Sequence, residues 1–195
     1  MNFNFFLNGI KNIVFTPAKF WETVISEHPS AGIIRNSFFI PLVLLIALSA
    51  FFGSLLLANA EMTASYSLLL SIKNIIVIFI AVYASSYLLG EITYPLDLGR
   101  DFNISYSLVV FSATPFLLCQ ILSRMFESLL FVNIIGLYGL NVFWIGAEKI
   151  LNPPQYKKMP LLIAATITFA GIYIATDLFL GMITDRLYYS FLALN

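Results

Sequence analysis

Long apolar runs separated by short polar breaks make up most of the chain. Five of them, at about 36–57, 66–90, 103–122, 127–147 and 160–184, each reach the roughly 20 apolar residues that a helix needs to cross a hydrocarbon core of about 30 Å. The breaks are abrupt. After the fourth run come Glu148-Lys149, Pro153-Pro154 and Lys157-Lys158 within a few residues, which reads as a helix leaving the membrane, stopping at proline and continuing as a basic loop. The period-2 alternation of a membrane β-barrel is missing. The pattern predicts an all-α integral membrane protein, one domain over 1–195, built as a bundle of five transmembrane helices behind a short amphipathic N-terminal helix.

Composition decides against a very apolar soluble bundle. Charged residues are only 10% of the chain and hydrophobic ones 60%, with a mean hydropathy of +0.91. Soluble domains carry about a quarter charged residues, so this chain has too few to cover a water-facing surface. The formal net charge is zero, which excludes the clustered basic footprint of a nucleic-acid binder. The single Cys119 cannot form an internal disulfide. No short apolar core with a cleavage site precedes Asn36, so the first span is expected to act as its own insertion signal.

Residues 1–35 follow a different rule. In MNFNFFLNGIKNIVF, Phe3, Phe6, Leu7, Ile10, Ile13 and Val14 recur at helical spacing, while Asn4, Asn8, Lys11 and Asn12 take most of the other face. The segment is too short and polar to span, and reads as a helix lying on the cytoplasmic membrane surface. Thr16-Pro17 suits an N-cap and first helical position. The short helix AKFWETVIS would follow, with Phe20 and Trp21 placed for the interface. An arm packed on the protein's own cytoplasmic loops is the alternative.

Basic residues set the orientation. Lys11, Lys19, Arg35, Arg100, Lys149, Lys157 and Lys158 fall on one side of the predicted bundle. Arg124 and Arg186 fall on the other, with Lys73 inside the second span. Seven against two or three puts the N-terminus in the cytoplasm and the C-terminus outside.

No catalytic constellation is present. The one histidine, His28, precedes Pro29 in a cytoplasmic connection, so no histidine metal pair can form. H-E-x-x-H, G-x-S-x-G and a Gly-rich phosphate loop are absent. Asp97 and Asp101 flank Arg100 in a short loop, an arrangement that ordinarily keeps a loop hydrated. Neither an enzyme nor a cofactor is expected.

Several residues within the spans stand out. Gly136, Gly139 and Gly146 lie with Phe143 on roughly one side of the fourth span. Small residues let helix backbones approach closely in lipid, either across a seam between two copies or within one bundle. Asn133 and Asn141 in that span need partners. Pro115 removes a backbone hydrogen bond from the third span and is expected to kink it, with Ser112 or Thr114 placed to satisfy the freed carbonyl. Tyr83 and Tyr87 form an i, i+4 aromatic face suited to the bundle interior. Lys73 and Asp177 are opposite charges inside spans. Counted from the outer helix ends they lie about 12 and 10 Å deep at 1.5 Å per residue. They could pair in an outward-facing polar cavity, or Lys73 could snorkel alone to the headgroups with the fifth span ending before Asp177.

Three stretches together resemble the Yip (Ypt-interacting protein) domain family, in particular its short bacterial members. They are TPAKFWETVISEHPS (Thr16 to Ser30), SYSLVVFSATPFLL (Ser105 to Leu118) and GLYGLNVFWIGAEKILNPP (Gly136 to Pro154). The resemblance extends over nearly the whole chain and rests on the order and spacing of loose, apolar motifs. It implies five helices, a cytoplasmic N-terminus and no known catalytic residues. Eukaryotic relatives work in traffic between endoplasmic reticulum and Golgi and associate with Rab-type GTPases. Only about 35 residues precede the first span here, where those relatives have a long cytosolic region, so that partnership is not carried over. A bacterial cytoplasmic membrane fits the short form.

Two functions follow as expectations. One is a non-enzymatic membrane protein that organises lipids or protein partners, itself included through the glycine face. The other is a transporter or channel for a small ion or lipid, using Lys73 and Asp177. An aqueous cavity lined by that pair would favour transport, and a dry, fully packed bundle with a protein-protein seam the first reading.

Overall fold

The computed structural model describes residues 3–57 and 64–192, with the backbone alone for 3–5, 127 and 190–192. Among them there is no strand. Two short helices, α1 (Phe3–Phe15) and α2 (Pro17–Glu27), lead into α3 (Ala31–Ile34). A π-helical turn, Arg35–Phe39, joins α3 to α4 (Ile40–Leu57). Then come α5 (Ala64–Thr93), α6 (Phe102–Met125), α7 (Tyr138–Ile150) and α8 (Gln155–Leu192). Five helical segments are long and apolar enough to cross a membrane, and the protein is an all-helical membrane protein.

The fourth span differs from the single α-helix expected. Its first half, Glu127–Leu137, is wound as 3₁₀-helix with a kink at Leu129, and only α7 is α-helical. Asn133 and Gly136, three residues apart in that half, both turn toward the bundle. Winding at 3.0 residues per turn keeps such positions in line. An α-helix would rotate each successive one by about 60°.

α6 is the central helix. Every side chain from Ser105 to Pro115 is buried, because α4, α5, α7 and the N-terminal arm surround it. α5 shows how the membrane inverts the usual pattern. Its buried face carries Ser67, Ser71, Asn74, Ser85 and Ser86, while Leu68, Ile72, Ile76 and Ile80 are exposed. Lipid accepts the large apolar side chains, and small polar ones permit close helix contact. Ser71 uses this closeness, its Oγ donating to the Ala47 carbonyl of α4 at 2.9 Å. Tyr83 packs against Phe39 and Tyr106 in the interior, whereas Tyr87 points outward, 57% exposed.

α7 approaches α6 through glycine. A methyl group built on Gly139 would stand 2.3 Å from the Ser112 carbonyl oxygen, and one on Gly136 would stand 2.9 Å from the Phe116 Cα. Gly136 and Gly139 are therefore packed within the chain against α6, as in the single-bundle alternative. Pro115 lies opposite, and α6 runs through it without a break. Pro115 frees the carbonyl of Phe111, yet the Thr114 hydroxyl donates one residue earlier, to Val110 at 2.9 Å.

The arm is where the structure corrects the surface-helix reading. Phe6, Ile13, Phe20, Trp21 and Val24 are buried in the main core, and Ile10 packs against it. Trp21 is fully enclosed. Its indole N–H donates to the Val142 carbonyl at 2.9 Å, and its ring fills the space left by Gly146. Phe111 meets it edge-on, with centroids 5.7 Å apart. The arm's apolar face is covered by α6 and α7, so Phe6, Ile10 and Trp21 are core residues. The Phe3 side chain lies outside the described ones. Leu7 and Phe15 remain exposed, at 49% and 76%.

Ion pairs tie the loops together at the end of the bundle where the arm lies. Lys149 contacts Glu22 at 2.5 Å, Lys158 contacts Glu148 at 2.6 Å, and Arg100 pairs with Glu91. The hydrogen bond from Lys149 holds the Glu22 carboxyl below the usual carboxylate range. Asp101 caps α6, accepting from the Asn103 N–H at 2.7 Å, so it does more than keep the loop wet.

Trp21→Ala is expected to destabilise the protein by roughly 3–5 kcal/mol, as loss of a buried tryptophan does. Phe15→Ala should stay within about 0.5 kcal/mol, as exposed positions do. Thermal unfolding of both variants in the same detergent checks this, and equal midpoints would show that the arm contributes nothing to the core.

Candidate functional site

Two features meet at the end of the bundle away from the arm. The first is a charge cluster. Lys73 on α5 and Asp177 on α8 come within 2.9 Å, Nζ to Oδ1, with 11% and 28% of their side chains exposed. Gly181, one turn further along α8, lies beside the ammonium. Arg124, in the last turn of α6, places Nη2 3.7 Å from the same carboxylate oxygen. Two cations thus share one anion, and the cluster carries a formal charge of +1.

Arg124 is the residue that the sequence reading left out, having assigned it to a connection. Its signal was Gln120, one turn earlier in the same helix. The Arg124 Nε donates to Gln120 Oε1 at 3.2 Å, and Nη2 donates to the Tyr173 hydroxyl at 3.4 Å. Asn133 extends the network. Its Oδ1 accepts from Gln120 Nε2 and from the Ser123 hydroxyl, both at 3.3 Å. Asn141 is exposed and takes no part.

The length of α6 bears on the level of the cluster. The 24 residues of α6 span about 36 Å, slightly more than a hydrocarbon core of about 30 Å. Arg124 therefore stands at interface level, and the pair in contact with it stands there too.

The second feature is a cleft of about 350 Å³ between α6, the fourth span and α8. Val109, Ala113 and Phe116 of α6 face Leu140 and Phe143 of α7, with Phe169 across from them on α8. Gly136 and Gly139 also line it, where the fourth span lies against α6. Leu137 and Ile174 at its rim are 62% and 55% exposed, so the cleft opens on the surface that lipid would touch. Its length along α6, from Val109 to Gln120, is about 16 Å at 1.5 Å per residue. Gln120, Asn133 and Tyr173 line it as well, and through Gln120 and Tyr173 it reaches Arg124. Neither Lys73 nor Asp177 lines the cleft. The result is an apolar slot with a hydrogen-bonding end, two of whose residues, Gln120 and Tyr173, contact Arg124.

Because Arg124 supplies a second cation, the two members of the original pair should respond unequally to charge reversal. Asp177→Lys would gather three cations and is expected to destabilise more than Lys73→Asp, which leaves Arg124 between two carboxylates. The double swap should recover about 0.5–3 kcal/mol relative to the sum of the singles, the range for residues in direct contact. A thermal-unfolding cycle on the four proteins measures it, and strict additivity would mean that the charges do not interact.

A family model described as the Yip1 domain matches residues 11–177. No curated protein and no solved structure matches the chain. The matched stretch runs from Lys11 in the arm to Asp177 in the charge cluster and so takes in both halves of the cleft. With most of its length covered by that one model, the chain belongs to the Yip1 domain family of membrane proteins.

Proposed function

We propose that this protein organises membrane lipid without catalysing a reaction, and that it does so by taking an acyl chain into the cleft between α6, the fourth span and α8. The cleft itself carries the reading. At about 350 Å³ it falls within the roughly 300–1,000 Å³ of ligand pockets. Its walls are overwhelmingly apolar and it opens toward lipid. Its length of about 16 Å is close to half of a hydrocarbon core of about 30 Å, which is the reach of one leaflet's chains.

The transport reading needed Lys73 and Asp177 to line a polar cavity. They are paired and stand outside the cleft, so lipid is the better-supported occupant. Self-association through the glycine face loses its support for a similar reason, since α6 already fills that face.

The orientation belongs to the same proposal. Arg100, Lys149, Lys157 and Lys158 form ion pairs at the arm end, in keeping with a cytoplasmic N-terminus in a bacterial cytoplasmic membrane. The cleft's polar end then faces outward. The C-terminal residues 193–195 lie outside those described.

Native mass spectrometry of the full-length protein, extracted in mild detergent, is expected to show retained phospholipid. Ala170→Trp should remove it, because Ala170 lines the cleft from α8 and is exposed, so an indole there fills the slot without entering the core. The reading fails if the parent retains no lipid, or if the variant retains as much.

Orientation is checked with single cysteines in a Cys119→Ser background. A cysteine at Ala64 should react with an impermeant thiol reagent in intact cells, and one at Gln155 should not. Labelling at Gln155 alone would invert the assignment.

A further inference from the structure

We propose that Arg124, together with Asn133, Gln120 and Tyr173, forms a headgroup site for an anionic phospholipid, binding the phosphodiester of a lipid whose chain lies in the adjoining cleft. The inference rests on the lipid reading of the cleft and adds the chemical class that the cleft selects.

Charge is the first reason. Lys73 and Arg124 share the single carboxylate of Asp177, and their side chains are only 11% and 30% exposed. An excess positive charge that is partly withdrawn from water is costly near a membrane unless an anion or water approaches it. A lipid phosphate supplies that anion at the level where headgroups lie.

Unused donors are the second reason. A guanidinium has five N–H bonds. Among the described residues Arg124 uses Nε on Gln120 and Nη2 on Tyr173 and Asp177, which leaves Nη1 available. Asn133 uses its carbonyl oxygen on Gln120 and Ser123, so its amide N–H bonds remain for an acceptor in the cleft. The Tyr173 hydroxyl, accepting from Arg124, keeps its own proton to donate. Asn133 and Tyr173 line the cleft, Tyr173 is in direct contact with Arg124, and a phosphodiester offers two charged acceptor oxygens to these donors. Arginine's planar fork matches that geometry.

Connection is the third reason. Gln120, Asn133 and Tyr173 line the cleft, so one molecule can fill the slot with its chain and reach the cluster with its headgroup. A soluble phosphate would satisfy the charge but leave the slot empty. The chain is what commits the site to a lipid.

The test measures retention of added lipids on the full-length, delipidated protein by native mass spectrometry. Dioleoyl phosphatidylglycerol is compared with dioleoylglycerol, which has the same chains and no phosphate. The parent is expected to retain the phospholipid about tenfold or more above the diacylglycerol, the scale of a hydrogen bond to a charged group. Arg124→Gln should bring the phospholipid down to the diacylglycerol level without changing the latter. Asn133→Ala leaves the charge cluster intact and should lower phospholipid retention several-fold, which keeps the test valid should Arg124→Gln fail to fold. Glycerol 3-phosphate at the same concentration should not displace the phospholipid.

Equal retention of the two lipids by the parent would overturn the headgroup site while leaving the acyl-chain cleft standing. Retention of neither would overturn both. Unchanged phospholipid retention in Asn133→Ala and Arg124→Gln, or displacement by glycerol 3-phosphate as effective as by lipid, would also sink the headgroup assignment.

Discussion

The architecture depends on how closely α7 can lie against α6. At Gly139 the two backbones approach until a methyl group would fall 2.3 Å from the Ser112 carbonyl oxygen. No residue with a side chain fits there without moving a helix. In lipid, where apolar burial does not drive helices together, such contact supplies much of what holds them. The approach has consequences on both sides. Toward the arm, Gly146 leaves the hollow that Trp21 fills. On the opposite side, α7 is held against α6 while α8 lies chiefly along α5, and the space between becomes the cleft.

Polar groups follow a matching logic. Buried hydroxyls mostly turn back to their own helices, as Ser86 does to Val82 and Thr114 to Val110, which satisfies them without constraining a neighbour. Contacts between elements are few and concentrated. Ser71 ties α5 to α4, Trp21 ties the arm to α7, and the Arg124 network joins α6, the 3₁₀ segment and α8. The last of these sits at the membrane boundary, where charged side chains cost less than at the centre. The bundle thus places its dense polar network where hydration is nearest and keeps its middle for packing.

Much of this could be read from the chain, for physical reasons that differ by element. The spans were legible because length and hydropathy are strict requirements for crossing a bilayer. The opposite signs and matched depths of Lys73 and Asp177 pointed to a common level, and the structure places them in contact. Arg124 was not legible in the same way. A basic residue at the end of an apolar run looks the same whether it faces water or turns back toward a carboxylate. The arm posed a similar problem. An amphipathic period shows that one face of a helix must be covered, but it is silent on whether lipid or protein covers it. Glycine spacing likewise identifies a contact face and not the neighbour. The 3₁₀ winding of Glu127–Leu137 left only the three-residue spacing of Asn133 and Gly136, which is easily taken for one side of an α-helix.

The enclosure of Trp21 has a consequence for biogenesis. Its hydrogen-bond acceptor, Val142, follows it by 121 residues, and the other walls of its pocket come from Phe111 and Gly146. A chain made from its N-terminus presents the arm well before those walls have been synthesised and inserted. During that interval the arm's apolar face needs another cover, and the bilayer surface beside the emerging first span is the nearest one. Docking then waits until the fourth span is in place. A segment synthesised ahead of all five spans can reach its final position only after the fourth is in place.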